Sequence, residues 1–238
     1  MIGPILLAVS WVLLRLEAKS LRVLGFNLPL RRLGELALGF FATGIAAAIQ
    51  QVGYALATGE TWQLNATFTW AAGVQQMRSL LNSVLYEELV FRGYLLYQAI
   101  RFLGEKRGVW LGAVAFGIYH WFSFGVLGNP VAMVYVFLMT GAFGAMGAFA
   151  FARTGSLAAP IGLHLGWNFV TYLVFSAGPA GAALLVPASG VARLKAPGAA
   201  GLLLGLGLPI LMMTAVIMLL RRYRPVAMSD PGQQQKAA

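Results

Sequence analysis

Glu87 and Glu88 stand side by side in an apolar stretch, and Arg92 follows one helical turn after Glu88. The chain has two histidines, His120 and His164, each in a further apolar stretch, and Asn168 comes four residues after the second. Residues four apart share a helix face while neighbours diverge, so Glu88 can reach Arg92 and Glu87 needs a different partner. Carboxylates and imidazoles exchange protons at neutral pH. Glu87, His120 and His164 together could therefore activate a water, relay protons or ligate a metal ion. Other chemistries are excluded by what is missing. There is no cysteine, so thiolate nucleophiles, thiolate metal sites and disulfides are ruled out. The sole aspartate, Asp230, sits in a polar tail, which rules out an aspartyl pair, and no serine lies in a G-x-S-x-G elbow.

These residues have to be positioned inside a bilayer. Of 238 residues 59% are hydrophobic and 10% charged, with a mean hydropathy of +0.76, against roughly 25% charged in soluble domains. Hydrophobic stretches near the roughly 20 residues needed to cross the hydrocarbon predict an all-α, polytopic transmembrane bundle of about seven to eight helices. They fall at 2–14, 35–57, a long helix ending near 101, then 109–127, 131–151, 156–175 and 200–220. Residues 1–222 read as a single membrane domain and 223–238 as a polar C-terminal tail. The first stretch is short for a span, with neither the basic flank nor the cleavage site of a signal peptide. Residues 178–197, rich in Gly, Ala and Pro, suit an external or partly re-entrant loop.

The net charge of +10 is distributed by loop. Arg15, Lys19, Arg22, Arg31 and Arg32 crowd one connection, Arg101, Lys106 and Arg107 a second, Arg153 a third, and Arg221, Arg222 and Arg224 the last. The alternate connections hold little beyond Glu60, with Arg193 and Lys195 as the exception. The positive-inside rule accordingly places the basic loops and the C-terminus in the cytoplasm, which assigns the charge to topology and excludes nucleic acid as a partner. Segment 19–32 interleaves its bases with Leu21, Leu24 and Phe26, as an interfacial amphipathic element or a plain loop would. The composition is compatible with a bacterial inner membrane.

Counting about 1.5 Å per residue from the basic loops puts Glu87, His120 and His164 at depths of roughly 21, 18 and 15 Å. Asn168 is one turn past His164, near the level of Glu87. Taken singly, an intramembrane histidine or asparagine is as often hydrogen-bonding glue between helices. Four such groups at one depth point instead to one polar pocket. The Glu88–Arg92 pair reads as a buried ion pair supporting its neighbour. Tyr86, Phe91, Tyr94, Trp121 and Trp167 read as packing or lipid-facing residues, and Gln75, Arg78, Ser79 and Asn82 as the wetter face of their helix.

In order along the chain, Glu87-Glu88-Leu89-Val90-Phe91-Arg92 has the form E-E-x-x-x-R, 116–120 the form F-x-x-x-H and 164–168 the form H-x-x-x-N. Over 86–168 the chain thus resembles the CPBP (ABI) family, that of type II CAAX prenyl endopeptidases and bacteriocin-processing proteins. The resemblance implies a glutamate-dependent intramembrane endopeptidase. Glu87 would be the base that, with His120, deprotonates a water; His164 and Asn168 would hydrogen-bond the oxyanion; Glu88 and Arg92 would support the helix. The partner would be a peptide or membrane-protein substrate, and no cofactor is required. Two alternatives stand beside this reading. One is a zinc enzyme with Glu87, His120 and His164 as a His₂Glu ligand set, although H-E-x-x-H is absent. The other is a proton-coupled transporter that relays protons through the Glu/His cluster.

Overall fold

The computed structural model describes residues 2–27, 30–176 and 183–223. It is the expected all-α bundle. Its helices are α1 (Gly3–Leu16), α2 (Leu30–Thr58), α3 (Trp70–Arg92), α4 (Tyr94–Leu103), α5 (Glu105–Ser123), α6 (Pro130–Thr154), α7 (Ala158–Phe169), α8 (Gly198–Leu202) and α9 (Leu208–Leu220). A π-helical segment, Leu203–Gly207, joins α8 to α9 in one span, Gly198–Leu220. That span, α2 and α6 are long and apolar enough to cross a bilayer, and the chain is an integral membrane protein.

Local sequence sets the helix ends. The Thr69 hydroxyl accepts the amide of Ala72 at 3.2 Å at the start of α3, and the Asn129 side chain accepts that of Ala132 at 3.1 Å before Pro130 opens α6. The long helix expected to run to about 101 is two helices. Gly93 breaks it with ψ of −135°, and a Cβ there would lie 2.2 Å from the Leu89 carbonyl oxygen, so the turn requires glycine. The helix expected over 109–127 begins earlier, at Glu105, and ends at Ser123; the one expected over 156–175 is α7 followed by a π turn, Val170–Val174.

Helix α7, which carries His164 and Asn168, lies directly on α2. Cβ atoms on Gly162 and Gly166 would fall 2.2 and 2.0 Å from the carbonyl oxygens of Leu36 and Phe40. Small residues allow this backbone contact, the usual basis of helix association in lipid, and the Thr43 hydroxyl adds a 2.6 Å bond to the Leu163 carbonyl.

At the basic end, α1 is clamped by its C-cap. Glu17 accepts from the Tyr94 hydroxyl, the Gln98 amide, Arg101 at 2.7 Å and Lys19 at 3.1 Å. Tyr94, read from sequence as a packing residue, is a hydrogen-bond donor here. Segment 19–32, described over 19–27 and 30–32, is partly helical. It makes a 3₁₀ turn, Leu21–Leu24, that inserts Leu24 into a core with Leu14, Leu89, Tyr97 and Phe151, and Leu24 accepts the Leu157 amide at 3.0 Å. At the opposite end two short strands unforeseen in the sequence, β1 (Trp62–Leu64) and β2 (Leu185–Pro187), pair antiparallel with Trp62 facing Pro187. Residues 178–182 of the presumed external loop, residue 177 before it, and the tail from 224 onward with Arg224 and Asp230, lie outside the described residues.

Candidate active site

The last turns of α3 bring two carboxylates to the centre of the bundle in different environments. Glu88 and Arg92 are each 1% exposed and bonded at 3.1 Å. The same Glu88 oxygen, Oε1, accepts Nδ1–H of His164 at 2.8 Å, a contact absent from the sequence reading. The Arg92 guanidinium lies 4.0 Å from the Phe116 ring centroid, a cation–π contact. It passes Gly147 so closely that a Cβ there would be 3.2 Å from Arg92 Nε. A buried ion pair left with one member would be an uncompensated charge; here α3, α5, α6 and α7 enclose both.

Helix α5 orients the other imidazole from its own backbone. His120 Nδ1 lies 2.8 Å from the Phe116 carbonyl oxygen, one turn earlier, and the two rings pack 4.4 Å apart. A carbonyl can only accept, so His120 carries its proton on Nδ1 when neutral. The carboxylate of Glu88 likewise takes Nδ1–H of His164. Both Nε2 atoms are thereby turned toward Glu87, at 3.8 Å for His120 and 3.9 Å for His164, and both to the same oxygen, Oε2. The other oxygen of Glu87 accepts from Ser83 at 3.4 Å, whereas Oε2 is buried with no hydrogen bond within the protein. Separations of this size suit a bridging molecule rather than a direct hydrogen bond.

Beside this cluster is a cavity of about 160 Å³ lined by His120, His164 and Asn168, with Phe143, Tyr172 and Met213 among its walls. Glu87, His120 and His164 thus converge, Asn168 shares the cavity one turn from His164, and Glu88 with Arg92 stands behind, bonded to His164. Trp167, read as packing, also lines the cavity. Sequence reasoning passed over Phe116, the first letter of F-x-x-x-H, which joins Arg92 to His120 through its ring and carbonyl; its i to i+4 spacing to the histidine was the available signal. Thr140, Phe143, Met212 and Met213 come from α6 and α9, whose uniformly apolar sequences give no such signal.

Fold and site together define a class: a polytopic helix bundle in which a partly buried carboxylate, Glu87, meets two buried imidazoles that line one cavity. Residues 70–170 match the family model described as Type II CAAX prenyl endopeptidase Rce1-like. CAAX prenyl protease 2 of Homo sapiens is 34% identical over 157 residues, an alignment covering 61% of this chain and 44% of the human protein. The chain therefore spans less than half of that relative. No solved structure matches. The matched region, which holds all six candidate residues, is thus similar to the type II CAAX prenyl endopeptidases.

Proposed function

We propose that the protein is a glutamate-dependent intramembrane endopeptidase that hydrolyses a peptide bond with a water held between Glu87 and His120. The observation that carries this is the pair of 3.8 and 3.9 Å separations from two imidazole Nε2 atoms to one otherwise unbonded carboxylate oxygen. A water there donates one proton toward Glu87 and the other toward the lone pair on His120 Nε2, leaving its oxygen free to attack the carbonyl carbon. Glu87 takes the proton released on attack and delivers it to the leaving amine. His164, with Glu88 balancing an imidazolium, presents Nε2–H to the developing oxyanion, and the Asn168 amide is the second donor. Donors fixed in this way act most strongly where bulk water is excluded.

The donor set is chemically suited to zinc, but the spacing favours water. Two ligands each 2.0–2.1 Å from a tetrahedral ion lie about 3.4 Å apart, closer than the separations here, and no group of three acidic, histidine or cysteine side chains among the described residues gathers tightly enough for an ion. The substrate is a membrane-associated peptide or protein segment, and the basic loops and C-terminus face the cytoplasm of a bacterial inner membrane. The test is cleavage of a fluorogenic peptide library by the purified protein in lipid. We expect activity that survives a strong chelator and is lost in both Glu87→Ala and His120→Ala. Loss on chelation with recovery on adding Zn²⁺ would establish the metal route, and full activity in Glu87→Ala would remove that residue as base.

A further inference from the structure

Leu38, Ala42, Leu163, Val216 and Leu219 line an apolar groove of about 400 Å³ between the start of α2, the start of α7 and the end of α9. Leu38 and Leu219 are 71% and 57% exposed, so the groove opens toward lipid. At its mouth the side chains change character: Arg222 and the acid Glu35 line it, and Arg31 and Arg32 are held there by their bonds to Glu35. That acid is already neutralised, because Arg31 and Arg32 each bond it at 2.9 Å, and Arg32 also donates to the Thr154 carbonyl at 2.8 Å. Arg222, by contrast, lines the groove with no ion-pair partner among the described residues. The backbone just after it is tied down by Arg153, which donates to the Tyr223 carbonyl at 2.9 Å.

We propose that this groove binds one anionic phospholipid, with its phosphate on Arg222 and Arg31 and an acyl chain along Leu38, Ala42, Val216 and Leu219. The dimensions agree. From Val216 to Arg222 the helix rises about 9 Å, so the groove holds the headgroup and the upper part of a chain in one leaflet, about 15 Å of hydrocarbon. A soluble anion would leave the apolar walls bare. A zwitterionic lipid would bring its own cation to an arginine-rich mouth, and basic clusters at a membrane end favour anionic headgroups. None of the groove's side chains belongs to the Glu87 cluster, so the inference is independent of the proposed hydrolysis.

Native mass spectrometry of the delipidated protein with phosphatidylglycerol or phosphatidylcholine of equal chain length tests it. One phosphatidylglycerol should be retained in preference to phosphatidylcholine. Arg222→Gln should lower that preference about fivefold while leaving phosphatidylcholine binding unchanged. Ala42→Trp, which fills the groove from an exposed position, should reduce retention of both, with thermal unfolding in lipid-free detergent as in the wild type. Equal retention of the two lipids, unchanged retention in both variants, displacement by glycerol phosphate alone, or a second copy of the chain in place of the lipid would each overturn the proposal.

Discussion

The roles of individual residues follow from where their hydrogen atoms can go. Each imidazole commits Nδ1 to an acceptor outside the cavity, a backbone carbonyl for His120 and a carboxylate for His164, which directs both Nε2 atoms inward. Asn168 has only a lining position, so its expected effect is confined to the transition state: Asn168→Ala should lower kcat by about 10²–10³-fold with KM little changed, as read by steady-state kinetics on the cleaved peptide. Arg92 predicts the opposite kind of defect. Arg92→Ala would leave Glu88 buried without its cation, at a cost of about 3–5 kcal/mol, and should appear as lower folded yield and thermal stability. A normally folded Arg92→Ala with altered substrate preference would contradict the structural role. At this scale the sequence was informative, because an ionisable group in an apolar run is conspicuous. It did not show the bond from His164 to Glu88, which depends on how two helices 76 positions apart are rotated against each other.

Among the elements, the spans were legible from hydropathy and the breaks were not. The break at Gly93 arises from one glycine inside an otherwise apolar, helix-forming run, and hydropathy does not register it. The close α2–α7 contact was written in Gly162 and Gly166, although only the fold reveals that their partners are Leu36 and Phe40. The clamp at the end of α1 was equally hidden, since Glu17 collects donors from α4, more than seventy residues away. Its carboxyl is held below the usual range, chiefly by the Tyr94 hydroxyl and further by Lys19 and Arg101, against the opposing effect of burial. A depressed carboxylate contributes stability that is fully present above its unfolded value, near 4.5, and lost as pH falls through the lower folded value. Thermal unfolding in detergent should therefore show an acid-side loss of stability below that pH that Glu17→Gln lacks. Identical acid limbs in the two proteins would mean the clamp contributes nothing.

For the molecule as a whole, the helices distribute chemistry along the membrane normal. Most of the basic residues, and the groove proposed for an anionic lipid, lie at one end. The cavity walls Phe124, Tyr172 and Pro209 come from the other, where α5 ends, α7 finishes in its π turn and α9 begins. Glu87, His120 and His164 meet at a common level of the bundle, as the count along their helices anticipates. The paired strands β1 and β2 escaped it because each is three residues long, too short for an alternating pattern to emerge. The account depends on one water being shared by Glu87 and His120. A high-resolution experimental structure of the wild-type protein, with anomalous scattering measured at the zinc edge, tests that most directly. The account predicts an oxygen about 2.6–3.2 Å from both Glu87 Oε2 and His120 Nε2, with no anomalous peak. A scatterer at about 2.0–2.1 Å from both imidazoles, or rings turned away from Glu87, would contradict it.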